Sequence, residues 1–220
     1  MRCVRVWFHK TGPIRYISHL DLMRTMTRAI RRSGINLWYT EGFNPHPYMT
    51  FALPLSLGVQ SLCESMDIRI EGDATNEEIC AALQRVMPEG ISVTAVKDPV
   101  LDPKFIAFAR FSVAFEKTAD PVVLQEKVQQ LLAGDSLIVQ KLGKKGHKKV
   151  MKEIDLLASL QSFTPGVEGD TFLLELVLPA GSVSNVNPSL LCDEILKLDP
   201  GAYYVITRQE LLTKDMEVFA

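Results

Sequence analysis

Several features are scarce or missing in this 220-residue chain, and each absence closes off a class of function. The four cysteines, Cys3, Cys63, Cys80 and Cys192, lie far apart, so no CxxC pair exists for a metal or a redox couple. That usage predicts reduced, buried thiols and a cytoplasmic setting. No apolar run is long enough to cross a membrane as a helix, and no membrane partner is expected. The first residues do not read as a secretion signal, because Arg2, Arg5 and Lys10 interrupt them. Charge of one sign is missing too: 24 Lys and Arg against 26 Asp and Glu leave a formal net charge of -2. There is then no global field to gather nucleic acid. The pattern GxxxxGK[ST] is absent, which excludes a Walker A phosphate loop.

What is present is an ordinary globular composition, 47% hydrophobic and 23% charged, long enough for one domain or two small ones. The near-neutral total hides a local excess. Residues 1–32 carry Arg2, Arg5, Lys10, Arg15, Arg24, Arg28, Arg31 and Arg32 against one acid, Asp21. Local charge, rather than the total, makes a binding face.

The first half reads as strand, helix, one or two strands, helix, strand. Val4, Val6 and Phe8 alternate on one face of a strand. Ser18 is a good N-cap, with Asp21 as an imperfect capping-box partner, and the helix runs to about Ser33, where Gly34 ends it. Leu22, Met23, Met26, Ala29 and Ile30 share the apolar arc of that helix, and Arg24, Arg28, Arg31 and Arg32 share another. Clustered arginine suits phosphate because its planar fork donates in pairs; the plainer reading is a solvated face. Arg15 and Lys10 would join an anion there if their loop folds back. Met66, Ile68 and Ile70 point inward from a further strand. Thr75 and Glu78 make a capping box for a helix over 76–86, and 91–96 is a strand.

Between the arginine helix and the next strand lies Gly42-Phe43-Asn44-Pro45-His46-Pro47. Each proline fixes its own φ and restricts the residue before it, so Asn44 and His46 are held in extended or turn conformations. The segment is either a rigid recognition loop or a plain structural turn. His19, Asp21 and His46 are the candidate acid–base residues, with a polar cap as the bland alternative for His19. The same three could meet at a metal ion, although their spacing matches no known ligand pattern, and no metal or other cofactor is expected.

After a linker over 97–104, Phe105, Ala107, Ala109, Phe111, Val113 and Phe115 alternate along a strand. Asp120 and Pro121 start a helix that Gly134 ends. Lys141, Lys144, Lys145, Lys148, Lys149 and Lys152 surround His147 in what reads as a mobile positive loop, either a solvated tip or a contact for an RNA backbone. Further elements follow at 171–178, 189–198 and 203–207. The resulting expectation is an α+β chain of two tandem ferredoxin-like halves, 1–98 and 105–220, each a split βαβ unit.

The run from Lys10 to Asp21, the GFNPHP segment behind an arginine-rich helix, the LPLSLGV stretch at 53–59, the lysine stretch ending in Lys152-Glu153-Ile154-Asp155, and Asn187-Pro188 carry a resemblance. Together they resemble the radical-SAM-linked proteins, a bacterial family of unassigned function also described as a domain of unknown function. Such domains are often fused behind, or paired with, a B12-type radical SAM protein. The resemblance implies a radical SAM partner and a role beside RNA or a ribosomal particle. This chain has no CxxxCxxC, so it does not carry that cluster itself.

Three functional readings follow. The first is an RNA-binding or substrate-presenting accessory, in which Arg15, Arg24, Arg28, Arg31, Arg32, Lys144, Lys145, Lys148 and Lys149 hold phosphates. Gly42, Phe43, Asn44, Pro45, His46 and Pro47 then form the reader. The second is a hydrolase or ribonuclease-like enzyme built on His19 and His46. The third is a protein-interaction module without nucleic acid.

Overall fold

The computed structural model describes residues 1–145 and 148–220, apart from the side chains of 142–150. In chain order the elements are β1 (Arg2–Lys10), a 3-10 turn (Gly12–Tyr16), α1 (His19–Ser33), β2 (Met49–Phe51), β3 (Gln60–Ile70), α2 (Asn76–Gln84) and β4 (Ile91–Lys97). A second 3-10 turn (Pro103–Phe105) leads to β5 (Ile106–Glu116), α3 (Pro121–Leu132), β6 (Ile138–Lys145), β7 (Lys148–Asp155), α4 (Leu156–Ser159), β8 (Ser162–Glu168), β9 (Thr171–Pro179), α5 (Ser189–Leu196) and β10 (Tyr203–Thr213). The chain is α+β. It divides into two compact units, Met1–Ala107 with Thr207–Ala220, and Phe108–Ile206. The linker expected from sequence thus ends just short of Ala107, and the last stretch of the chain returns to the first unit.

In the first unit β1 lies between β4 and β3, antiparallel to both, and β2 is antiparallel to β3. The start of β3 also pairs in parallel with Thr207 and Arg208 of β10. Alternation along β1 and β3 sends Val4, Val6, Phe8, Met66, Ile68 and Ile70 to one face. There they pack with Leu22, Met26 and Ile30 of α1 and Ile79 and Leu83 of α2. Each such side chain contributes about 1.5–3 kcal/mol of burial.

Toward the Lys10 end of this unit, apolar side chains give way to buried charge. Lys10, Glu64 and Arg208 are 2%, 2% and 3% exposed. Arg208 donates to the Glu64 carboxylate, and also to the Leu53 carbonyl at 3.2 Å. Lys10 donates to the Arg15 carbonyl at 3.2 Å. Burial pulls the Lys10 amine below its ordinary range, Glu64 works against that, and Arg208 adds to it. Lys10 is therefore a structural cation, and the expectation that it helps to hold an external anion is corrected.

In the second unit the order is β10-β5-β9-β8, with β9 antiparallel to both β5 and β8. Ala109, Phe111, Val113 and Phe115 of β5 are buried, and Phe115 stacks on Phe172 at 5.5 Å. Phe105 is exposed, contrary to the alternation, because the 3-10 turn runs through it and β5 starts one residue later. β8 has no counterpart in the expected elements. Its sequence, SFTPGVE, contains proline and glycine and reads as a turn.

β6 and β7 form a separate two-stranded sheet. The lysine stretch is thus paired backbone up to Lys145 and Lys148, which corrects the reading of a loose loop. Gly146 and His147 lie outside the described residues, as do the side chains of Lys144, Lys145, Lys148 and Lys149. The two units do not make a clean tandem repeat. The division falls within β10, with Ile206 in the second unit and Thr207 in the first, and the second unit carries the extra β6–β7 pair and α4. Among the described residues no helix is long and apolar enough to cross a membrane.

Glu64 carries the only negative charge in the buried group of Lys10, Glu64 and Arg208. Glu64→Gln is expected to cost about 3–5 kcal/mol in urea denaturation, because it strands two buried cations. A loss below about 1 kcal/mol would mean that the group is solvated in solution.

Candidate nucleic-acid interface

Helix α1 begins and ends where its sequence dictates. The Ser18 hydroxyl accepts from the Asp21 amide at 3.1 Å, and Gly34 closes the helix with φ of 78°, a left-handed conformation that suits glycine. Asp21 does not complete a reciprocal capping box. Its carboxylate accepts instead from the Ser18 hydroxyl at 2.7 Å and from Arg24 at 3.1 Å. Leu22, Met26, Ala29 and Ile30 are buried, and Met23 is half-buried.

The opposite arc is exposed, and its four arginines divide by partner. Arg24 pairs with Asp21. Arg31 donates to the Tyr39 hydroxyl at 3.2 Å, with its guanidinium 5.9 Å from the ring centre. Arg32 donates to the Val86 carbonyl just past α2, at 3.0 Å. Arg28 has no hydrogen-bond or ionic partner among the described residues, so its donors are open to an external acceptor. Arg15 sits apart, half-buried, with its guanidinium over Tyr16 at 4.8 Å and a bond to that hydroxyl at 2.9 Å.

The GFNPHP segment is the tip of a short stem. Tyr39 bridges Pro47, the Thr40 amide donates to the His46 carbonyl at 2.9 Å, and the Tyr48 amide donates to the Trp38 carbonyl at 3.2 Å. The base of the stem is tied to the end of β3. Trp38 N–H bonds the Arg69 carbonyl at 3.0 Å, and Arg69 N–H bonds the Tyr48 carbonyl at 3.4 Å. The Arg69 guanidinium lies against both aromatic rings, 5.2 Å from the centre of Trp38 and 4.1 Å from that of Tyr48. At the tip, Gly42 has φ of 130°, which an L side chain rarely adopts, and Phe43 is fully exposed. Through Tyr39 the stem stands beside Arg31, so the first unit brings the arginine arc and the loop together.

His46 is exposed, and its Nδ1 lies 3.1 Å from both the Thr40 hydroxyl and the Asn44 carbonyl. A proton on Nδ1 would serve the Asn44 carbonyl, and an unprotonated Nδ1 would accept from the Thr40 hydroxyl. His19 packs edge-on against Phe51 at 5.1 Å. Among the described residues no bond, ion pair or ring contact joins His19 or Asp21 to His46. No three His, Cys, Asp or Glu side chains among them come together to hold a metal ion. The convergence of His19, Asp21 and His46 that sequence allowed does not form, because each belongs to a different local network.

A family model described as "Uncharacterized protein conserved in bacteria" (DUF2344) matches residues 3–188. The chain belongs to this family. The search of curated proteins gives no match. Among solved structures, a chain of a Cbf5-Nop10-Gar1 complex is 11% identical with a TM-score of 0.52, covering 94% of this chain. The present chain spans about half, 48%, of that one, and the likeness is one of fold. A structure described as an unknown protein from Galdieria sulphuraria is also 11% identical, covering 94% of this chain and 98% of that one, with a TM-score of 0.26.

Two of the sequence stretches singled out above meet in the first unit. Gly58 N–H donates to the Arg15 carbonyl at 2.9 Å, Gly12 N–H donates to the Gln60 side chain at 3.1 Å, and Arg208 reaches the Leu53 carbonyl. The Gly58–Arg15 bond thus joins the Lys10–Asp21 run to the 53–59 run. Sequence reasoning missed Arg69, Thr40, Glu64 and Arg208. Arg69 sits at an outward position of a regular strand and signals nothing until its aromatic neighbours, Trp38 and Tyr48, arrive from far back in the sequence.

The Asp21 carboxyl is held below the ordinary carboxylate range, first by the Ser18 hydroxyl and then by Arg24. A depressed value favours the folded state above the unfolded carboxyl's pKa, and that contribution is lost as pH falls through the depressed one. In an NMR titration, Ser18→Ala should raise the Asp21 midpoint more than Arg24→Ala does. Equal, unmoved midpoints would rule out this network in solution.

Proposed function

We propose that this chain is an RNA-binding accessory that holds an unpaired RNA segment and presents it to a partner enzyme. The observation that carries this reading is the pairing, through Arg31 and Tyr39, of an exposed arginine arc with an aromatic-based stem whose tip displays Phe43. Arginine forks suit phosphate, and an exposed ring on a firm support suits a base. Arg24 and Arg28 are the phosphate contacts. Arg31 holds the stem, Arg32 joins α1 to the end of α2, and Arg15 supports Tyr16.

The second unit supports the same reading by itself. Across β6 and β7 the register sets Lys141 opposite Lys152. Like charges directly opposite destabilise a strand pair, and a polyanion removes that cost. The resemblance to radical-SAM-linked proteins names the partner class, a radical SAM enzyme acting on RNA or a ribosomal particle in the cytoplasm. The chemistry then belongs to the partner, since this chain lacks the cluster-binding cysteines. The histidine-enzyme reading has less behind it, because His19 and His46 are engaged by separate neighbours.

Filter-binding titrations with single-stranded RNA at several salt concentrations test the proposal. Replacing Arg24 and Arg28 together by Glu should weaken binding about tenfold or more and lower the salt slope by about 1.4. Phe43→Ala should cost about 1–3 kcal/mol with the slope unchanged. Affinity unaffected by the double charge reversal would overturn the phosphate assignment.

A further inference from the structure

The face of β1 and β3 opposite the helices carries a feature that neither the arginine arc nor the GFNPHP loop uses. Arg5 is 1% exposed there. Its Nε and Nη2 donate to the two oxygens of Asp67 at 2.7 and 2.9 Å, and its plane lies 4.8 Å from the centre of the Phe219 ring. Nη1 is buried and, like Nε of Arg15 and of Arg208, has no partner among the described residues. Two of its three donor nitrogens are committed to Asp67, so Arg5 fixes where that carboxylate stands.

Arg5 lines a cavity of about 400 Å³ within the first unit. Its other walls include Tyr48, Thr50, Asp67 and the segment from Pro99 to Pro103. Tyr48 is the residue after the GFNPHP segment, and its ring is already in contact with the Arg69 guanidinium. Asp67 is 17% exposed, and each of its oxygens takes one bond from Arg5, leaving further lone pairs free.

The charges decide what fits. Arg5 is neutralised by Asp67, and Asp102 on the Pro99–Pro103 segment is paired with Lys104 at 3.1 Å. The cavity therefore has no surplus positive charge for a phosphate. It offers an acceptor in Asp67, oriented by Arg5, a hydroxyl in Thr50 and the side chains of Tyr48, Val100 and Leu101. That set matches a neutral planar heterocycle with an acceptor next to an N–H, which every nucleobase presents on its pairing edge. The volume admits one base with room at the mouth.

We propose that this cavity binds an unpaired nucleobase, with Asp67, held in place by Arg5, accepting from the base N–H and the Thr50 hydroxyl donating to its neighbouring acceptor. The inference rests on the RNA-binding reading for its biological setting, but it is tested without phosphate. The probes are the nucleosides uridine and guanosine, titrated into isotopically labelled full-length protein at millimolar concentrations and followed by amide NMR.

Saturable shifts are expected at Thr50, Asp67 and Val100. Val100 is 83% exposed at the rim, so Val100→Trp narrows the cavity without touching the core. The shifts should vanish in Val100→Trp and also in Thr50→Trp, while both variants keep the parent's amide pattern elsewhere and its affinity for an abasic oligoribonucleotide. Absent shifts, or shifts of equal size in both variants, would overturn the base site. Loss of RNA binding on reversing Arg24 and Arg28 is read in the separate filter assay, so each idea fails on its own data. Nucleoside shifts without any RNA affinity would keep the cavity as a base site and overturn the accessory reading.

Discussion

A central strand must satisfy its backbone hydrogen bonds along both edges, and the first unit is arranged around how β3 does so. One edge is taken throughout by β1. The other is shared by three separate pieces of chain: β10 at Gln60 and Ser61, β2 at residues 66–68, and the stem segments at Arg69 and Ile70. No single strand pairs with that edge, so its last positions are free to fasten the base of the GFNPHP stem. The loop inherits its firmness from the sheet. Proline stiffness sets its local shape, and β3 sets where it stands.

The same strand distributes the unit's charges by parity. Glu64 shares the helix-covered face with Met66, Ile68 and Ile70, whereas Asp67 and Arg69 fall on the other side. On the covered side a carboxylate is tolerable only with a partner; Arg208 supplies it, and the charge of Lys10 adds to it through space. On the other side Asp67 holds Arg5, and Arg69 holds the two aromatic rings of the stem. Three ion or cation–ring groups on one strand thus do three different jobs: closing the core, lining a cavity and propping a loop.

How much of this was legible in the sequence follows from the range of each interaction. Ser18, Gly34, Thr75 with Glu78, and Asp120 with Pro121 marked helix ends correctly, because capping is a contact between residues three or four apart. The apolar stripe of α1 was legible for the same reason. Lys10 looked like a surface cation until the Arg15 carbonyl and Glu64 closed over it. The four arginines of α1 looked equivalent, since helical spacing cannot tell that Arg31 finds Tyr39 and Arg32 finds the Val86 carbonyl. β8 was hidden by its own proline and glycine, which count as breakers locally but are tolerated on an edge strand beside β9.

The contrast between Arg5 and Arg28 carries the functional argument furthest. Both are arginines of the first unit with unused donors, yet their surroundings ask for different ligands. Arg28 is exposed, uncompensated and flanked by Arg24, so an anion gains attraction there and loses only when salt competes. Arg5 is buried and compensated by Asp67, so a charged ligand would be desolvated for little return. A neutral ring with a hydrogen-bonding edge would not. An unpaired nucleotide has both parts, a charged backbone and a neutral base, and recognition of single-stranded RNA elsewhere divides along that line. Tyr48 joins the two halves here. It closes the stem whose Tyr39 meets Arg31, and it also lines the cavity that holds Arg5.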